Sequence, residues 1–231
     1  MKAPPLIHIL VGSYPYGDAR EFLPVSAAEL SRSQHSIERI LNPFSFGSGR
    51  LVLLISLLEV GSYAVPFERA VMNLGLLSAN ADTSRFEAQR IESICRRFDV
   101  AAIAGVTTEI LDGLLEAGYA LDETFKRSVV WALPNAASRL RKIPDISLRI
   151  MAEAGPALGL ECISANGIHI DSNEWHCEVD KDELLLTSRL IRATAFRRHR
   201  TAMFGELISE PCDCGNADIR FRPFDKQYSA S

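Results

Sequence analysis

Four residues in the last third of the chain carry the chemistry of metal ligands: Cys162, His169, Cys212 and Cys214. Thiolate and imidazole donors suit a tetrahedral zinc site, and a closed set of four is structural because it leaves no position for water. Cys212 and Cys214 are separated by one residue and followed by Gly215, which lets the backbone turn. Cys162 and His169 flank a turn containing Asn166-Gly167, as a hairpin would place them. One ion held by two distant turns would staple this region. The alternative is that the four never meet; His176 and Cys177 are substitute donors, pointing to opposite faces of a strand. A second chemistry sits between them, in the basic run Arg197, Arg198, His199, Arg200. It reads either as a solvated strand edge with internal salt bridges or as an anion site built on Arg198 and Arg200. No Ser/His/Asp or Cys/His nucleophile set stands out.

Composition narrows the classes. The chain has 231 residues, 47% of them apolar, enough for a real core in one large domain or two small ones. Lys and Arg number 25 against 29 Asp and Glu, a net charge of −4, which gives no electrostatic reason to expect nucleic acid or a membrane surface. No apolar run reaches the roughly 18–20 residues a membrane span needs. The amino terminus lacks the pattern of a signal peptide. Five cysteines, an odd number clustered late, fit a reduced cytoplasmic protein with a metal better than a disulfide framework.

The elements that must position these residues fall into two textures. Leu6–Val11 reads as a short buried strand and Gly12–Asp18 as a turn. Ser26 and Glu29 form a capping-box pattern that starts a helix with Ile37, Ile40 and Leu41 on its apolar face. Leu51–Glu59 reads as a buried helix, and Tyr63–Phe67 as a strand. Ser84 and Glu87 form a second capping box. The helix after it puts Ile91, Ile94, Cys95 and Phe98 on one face, which makes Cys95 a core cysteine. Val100–Ala104 reads as a strand, followed by a helix capped by Thr107 or Thr108 and ended at Gly118, then a strand over Val129–Leu133. This alternation predicts an α/β fold of parallel-sheet βα units over residues 1–145. Residues 146–231 read as a small β-rich, zinc-stapled subdomain, with strands at Ile168–Ile170, Glu174–Val179, Glu183–Ser188 and Ala195–Arg200. The last seven residues read as a frayed tail.

Taken as one block, Gly155–Gly215 resembles the adenylate-forming acyl-CoA synthetase superfamily, in its phenylacetate-CoA ligase-like branch. The matching motifs are Gly155-Pro156, Glu161-Cys162, Gly167-Ile-His-Ile170, Cys177-Glu-Val179, Asp182-Glu-Leu-Leu-Leu-Thr-Ser188, Arg198-His-Arg-Thr-Ala-Met203 and Glu210-Pro-Cys-Asp-Cys-Gly215. Phe22-Leu-Pro-Val-Ser26 is similar to the segment after the family's phosphate loop. Asn42-Pro-Phe-Ser-Phe-Gly47 is similar to the run that lines its acyl pocket. The resemblance implies the amino-terminal fold of that superfamily, a structural zinc on Cys162, His169, Cys212 and Cys214, and an acyl or aryl pocket near Phe44, Phe46, Gly155 and Pro156. It also implies that the segment before the phosphate loop and the mobile lysine-bearing domain are missing. The surface left by them would be covered by a second copy or a partner protein.

Against that pattern the nucleotide motifs are altered. Ser13-Tyr-Pro-Tyr-Gly-Asp-Ala-Arg20 stands where the family has small phosphate-binding donors. Ala152 stands at the magnesium-binding Glu, with Glu153 one residue late, and Met203 at the ribose-binding Asp. Losing one charged hydrogen bond costs about 1.5–3 kcal/mol, so losing all three predicts that ATP and Mg²⁺ are not used. The expectation is a degenerate ligase-like protein that binds an aryl or acyl group, or acts on it without ATP, in a biosynthetic pathway. The alternatives are an active acid-adenylating ligase completed by a partner chain and a non-catalytic interaction subunit.

Overall fold

A computed structural model describes residues 7–224; the predicted frayed tail lies outside them. The first element is a hairpin, β1 (His8–Tyr16) and β2 (Ala19–Ser26), which forms its own two-stranded sheet. The expected buried strand and turn are thereby corrected. The strand runs through Gly12–Tyr16, the turn is Gly17-Asp18, and Ile9 and Val11 are exposed. Ser26 then caps α1 (Ala27–Leu41) with the reciprocal bonds of a capping box: its hydroxyl accepts from Glu29 N, and Glu29 accepts from Ser26 N at 3.0 Å.

The other eleven strands form one sheet. β3 (Leu51–Ile55), β4 (Leu77–Ala81), β5 (Val100–Val106), β6 (Val129–Ala132) and β7 (Ser147–Ala154) are parallel, in the order β4-β3-β5-β6-β7. From β7 the pairing turns antiparallel through β8 (Ala157–Glu161), β9 (Ile168–His169), β13 (Arg220–Pro223), β12 (His199–Ile208), β11 (Glu183–Ser188) and β10 (Trp175–Asp180). The sheet therefore continues across residues 145 and 146.

Helices cover both faces of the parallel part. α1 and α2 (Gly61–Asn73) send Ile37, Ile40, Phe67 and Val71 against Val52, Leu54, Ala102 and Ala104. On the opposite face, Ile91 of α3 (Ala88–Arg97), Ile110 and Leu114 of α4 (Thr108–Glu116), Phe125 of α5 (Leu121–Phe125) and Leu140 of α6 (Pro134–Leu140) meet Leu53, Ile55, Ile103 and Val130. Strands covered on both sides become unbroken apolar runs. That is why Leu51–Ile55, read as a helix, is a strand with every residue buried. Tyr63–Phe67, read as a strand, belongs to α2. Its aromatic and β-branched residues favour extension locally, but Ala64, Phe67, Ala70 and Val71 repeat at helical spacing and are buried. Cys95 packs against the core as expected, and burial pushes its thiol up to about 12. The strand expected at Ala195–Arg200 starts instead at His199. No helix among the described residues is long and apolar enough to cross a membrane.

The site-forming end of the parallel sheet depends on Gly105. It sits at a register shift in β5 with φ of 85°, and a Cβ there would lie 2.0 Å from the Ile55 carbonyl oxygen of β3. Gly105→Ala should therefore cost at least about 1–3 kcal/mol, read as a lowered denaturation midpoint. A midpoint equal to that of the parent would contradict this packing.

Candidate metal centre

Sheet pairing brings the two cysteine-bearing turns together. Cys162 follows β8 directly, and β8 returns as β9 with Leu160 opposite His169. β13 pairs with β9, placing Arg220 opposite His169, so the loop between β12 and β13 lands beside the β8–β9 turn. The two turns are built alike. Ala165 N donates to Cys162 O at 3.1 Å, and Gly215 N to Cys212 O at 3.0 Å. The left-handed backbone at Gly167 and Gly215 lets each chain reverse. Glu161 fixes the first turn, accepting from Ile150 N at 2.8 Å and Gly167 N at 3.2 Å.

The donor atoms of Cys162, His169, Cys212 and Cys214 all lie within 4.8 Å of one another. Cys162 Sγ is 3.6 Å from Cys212 Sγ, and Cys214 Sγ is 3.6 Å from His169 Nε2. Cys162, His169 and Cys212 are buried; Cys214 is half-buried. Burial depresses the His169 pKa, keeping the imidazole in its neutral, ligating form. Burial, reinforced by the nearby sulfurs, pushes the Cys214 thiol up to about 12. Sulfurs this close resist joint ionisation, and a cation among them removes that repulsion. This cluster can hold a metal ion. Neither substitute donor joins it: Cys177 packs in the main core and His176 is exposed on β10.

The expected anion site has its charge already met. Arg198 donates to Glu178 at 2.7 Å, and Arg200 pairs with Glu183 and, at 3.8 Å, with Asp180. These ion pairs are those of the salt-bridged reading, and β12 itself lies between β11 and β13.

The residues expected around one ligand pocket fall in two places. Phe44 and Phe46 stack at 5.2 Å, and Phe44 meets Trp131 edge-on at 5.0 Å, in the core cluster that also holds Cys162 and Cys212. Gly155 and Pro156 instead line an inner cavity of about 60 Å³ with Ser13, Tyr63, Glu153 and Arg192. A larger cleft of about 300 Å³ opens at the carboxyl ends of β5 and β6, lined by Pro15, Arg20, Thr107, Thr108, Pro134 and Asn135. Open α/β sheets bind ligands at that edge.

Arg20 organises the boundary between the two openings. It donates to Ser13 Oγ at 2.8 Å and pairs with Glu59 at 3.1 Å and with Glu153. Tyr63 donates to the other Glu153 oxygen at 3.5 Å, and burial, then the Glu153 charge, raises the phenol well above its usual pKa. Ala152 and Met203 are 1% and 2% exposed, both inside the core. Sequence reasoning missed Arg20 and Tyr63. The only signal was an arginine in a run otherwise read as a turn, because its partners lie far along the chain.

No protein-family model and no curated protein matches this sequence. Among solved structures it is similar to an open conformation of 2-hydroxyisobutyryl-CoA ligase in complex with 2-HIB-AMP and CoA. The TM-score is 0.66 at 14% identity, over 93% of this chain and 56% of that one. It is also similar to a putative long-chain-fatty-acid CoA ligase from Rhodopseudomonas palustris, with a TM-score of 0.54 at 12% identity, over 93% of this chain and 58% of that one. The fold is that of the acyl-CoA ligases, as the motifs implied, and this chain spans a little over half the length of these two neighbours.

His199 links this fold to pH. Its ring packs against Tyr14, Tyr16 and Phe196 at 5.4, 5.6 and 5.1 Å. Burial lowers its pKa, and Glu183 opposes that shift only in part. The folded chain therefore holds this imidazole neutral, while the unfolded chain protonates it near pH 6.5. Its contribution is complete above that pH and lost as pH falls below it. Equilibrium unfolding of the parent and His199→Gln should show a shallower decline for the variant between pH 7 and 5. Parallel declines would contradict the assignment.

Proposed function

We propose that this chain is a zinc-stapled, acyl-CoA-ligase-type scaffold. It binds an acyl or aryl small molecule, or acts on it without ATP, and has lost adenylation. The observation that carries the proposal is the fate of the nucleotide positions. Ala152 and Met203 are core side chains, and Glu153 is occupied by Arg20 and Tyr63. Magnesium and ribose would each lose a charged contact worth about 1.5–3 kcal/mol. The cleft at the ends of β5 and β6 is the proposed ligand site, since the inner cavity holds only a few waters. We place the protein in the cytoplasm, in a biosynthetic role. Exposed Ile9, Val11 and Phe22 on the hairpin favour a second copy or a partner protein covering that face. ATP–pyrophosphate exchange with a panel of aryl and aliphatic acids should be absent. Acid-dependent exchange by the purified chain would instead assign it as an active ligase.

The metal in this proposal is zinc. A tetrahedral ion with Zn–S near 2.3 Å and Zn–N near 2.0–2.1 Å requires S···S edges of about 3.8 Å and S···N edges of about 3.6 Å. Two of the six donor separations, one S···S and one S···N, are 3.6 Å and fit those edges, and all six are within 4.8 Å. Three thiolates and one imidazole complete the shell, so zinc would supply cohesion between two loops and no activated water. Metal analysis should find one zinc per chain. Cys212→Ser should remove it, and a loss of only ~3 kcal/mol would lower the melting temperature by about 6–12 °C. An unchanged melting curve would contradict a structural ion.

A further inference from the structure

Arg220 is a buried cation without a carboxylate. It is 2% exposed, and among the described residues it makes no ion pair. Its guanidinium is spent on backbone carbonyls of the two loops that carry the metal donors. Nη1 donates to Asn166 O at 2.9 Å, in the turn between Cys162 and His169. Nη2 donates to Glu210 O at 2.7 Å and Pro211 O at 3.4 Å, immediately before Cys212. Arg149 also touches the site, but its bonds to Cys162 O and Ile163 O reach the first loop alone.

Burying an arginine among neutral carbonyls is unfavourable unless a countercharge lies nearby. Asp218, two residues before Arg220 in the loop that leads into β13, is paired with Arg39 at 3.1 Å. A zinc-loaded cluster would supply the missing charge. Zinc with three thiolates and a neutral imidazole carries a net charge of −1, and Arg220 stands directly opposite His169 in the β9–β13 pairing.

We infer that Arg220 is a positioning residue of the metal centre: it clamps both ligand loops and neutralises the residual charge of a three-thiolate zinc site. This rests on the zinc reading above. Partners outside the ligand shell generally contribute 10–100-fold to metal affinity. Arg220→Met removes both fork and charge; Arg220→Lys keeps the charge but cannot span the three carbonyls. Arg198→Met, at an exposed salt bridge, is the control.

The test is zinc affinity by chelator competition on folded protein, with melting temperatures of zinc-loaded and zinc-free forms. Arg220→Met should raise the zinc dissociation constant about 10–100-fold and shrink the melting difference between the two forms. Arg220→Lys should fall between it and the parent, and Arg198→Met should match the parent. A parent-like dissociation constant in Arg220→Met would overturn the inference. Should that variant not fold, a parent-like value in Arg220→Lys would overturn it equally. A parent protein that binds no zinc would instead remove the zinc reading itself.

Discussion

The pairing of β7 is the constraint from which the rest follows. One edge lies parallel to β6, with Ala132 opposite Ile150; the other lies antiparallel to β8, with Ala152 opposite Gly159. A strand held on both sides cannot slip by one residue without turning every side chain to the wrong face. Ile150, Ala152 and Ala154 therefore stay in the main core, and Glu153 stays on the side of Tyr63 and Arg20. Glu153 is adjacent in sequence to Ala152, the position that the family resemblance aligns with a magnesium-binding Glu, but the register keeps the two on opposite faces. The absence of a carboxylate there is a property of the sheet as well as of one substitution.

The same strand joins the two textures of the chain. On its parallel side, helices on both faces bury the sheet. On its antiparallel side, short strands return through tight turns, and the turns after β8 and β12, with His169 of β9, present the four candidate metal donors. Their convergence needs no helix. It follows from β9 being flanked by β8 and β13. The half-buried Glu161 and the buried Arg220 then tie the loop backbones to the sheet.

Much of this was legible in the residues. The capping box at Ser26 and Glu29, the Thr107 cap, and the strands Val100–Val106 and Val129–Ala132 carry local signals that the tertiary structure keeps. Cys-x-Cys-Gly and the Asn166-Gly167 turn also proved local, because one donor pair sits on a turn and the other flanks one. What failed was decided at a distance. Leu51–Ile55 has no periodicity because both its faces are covered, and Leu77–Ala81 went unread because LSANA, although it alternates, contains no β-branched or aromatic residue. The outward-facing Ile9 and Val11 belong to a hairpin outside the main sheet. Arg20 is 133 residues from Glu153, so nothing local in the sequence announces their pairing.

Whether this scaffold holds a nucleotide separates a retired ligase fold from a working one. Calorimetric titration of the zinc-replete chain with ATP and Mg²⁺ asks that without any guess about the acid. With Ala152 and Met203 in the core and Glu153 held by Arg20, no saturable binding should appear up to millimolar ATP. Micromolar binding that requires Mg²⁺ would contradict the central claim and restore the chain to the acid-activating enzymes.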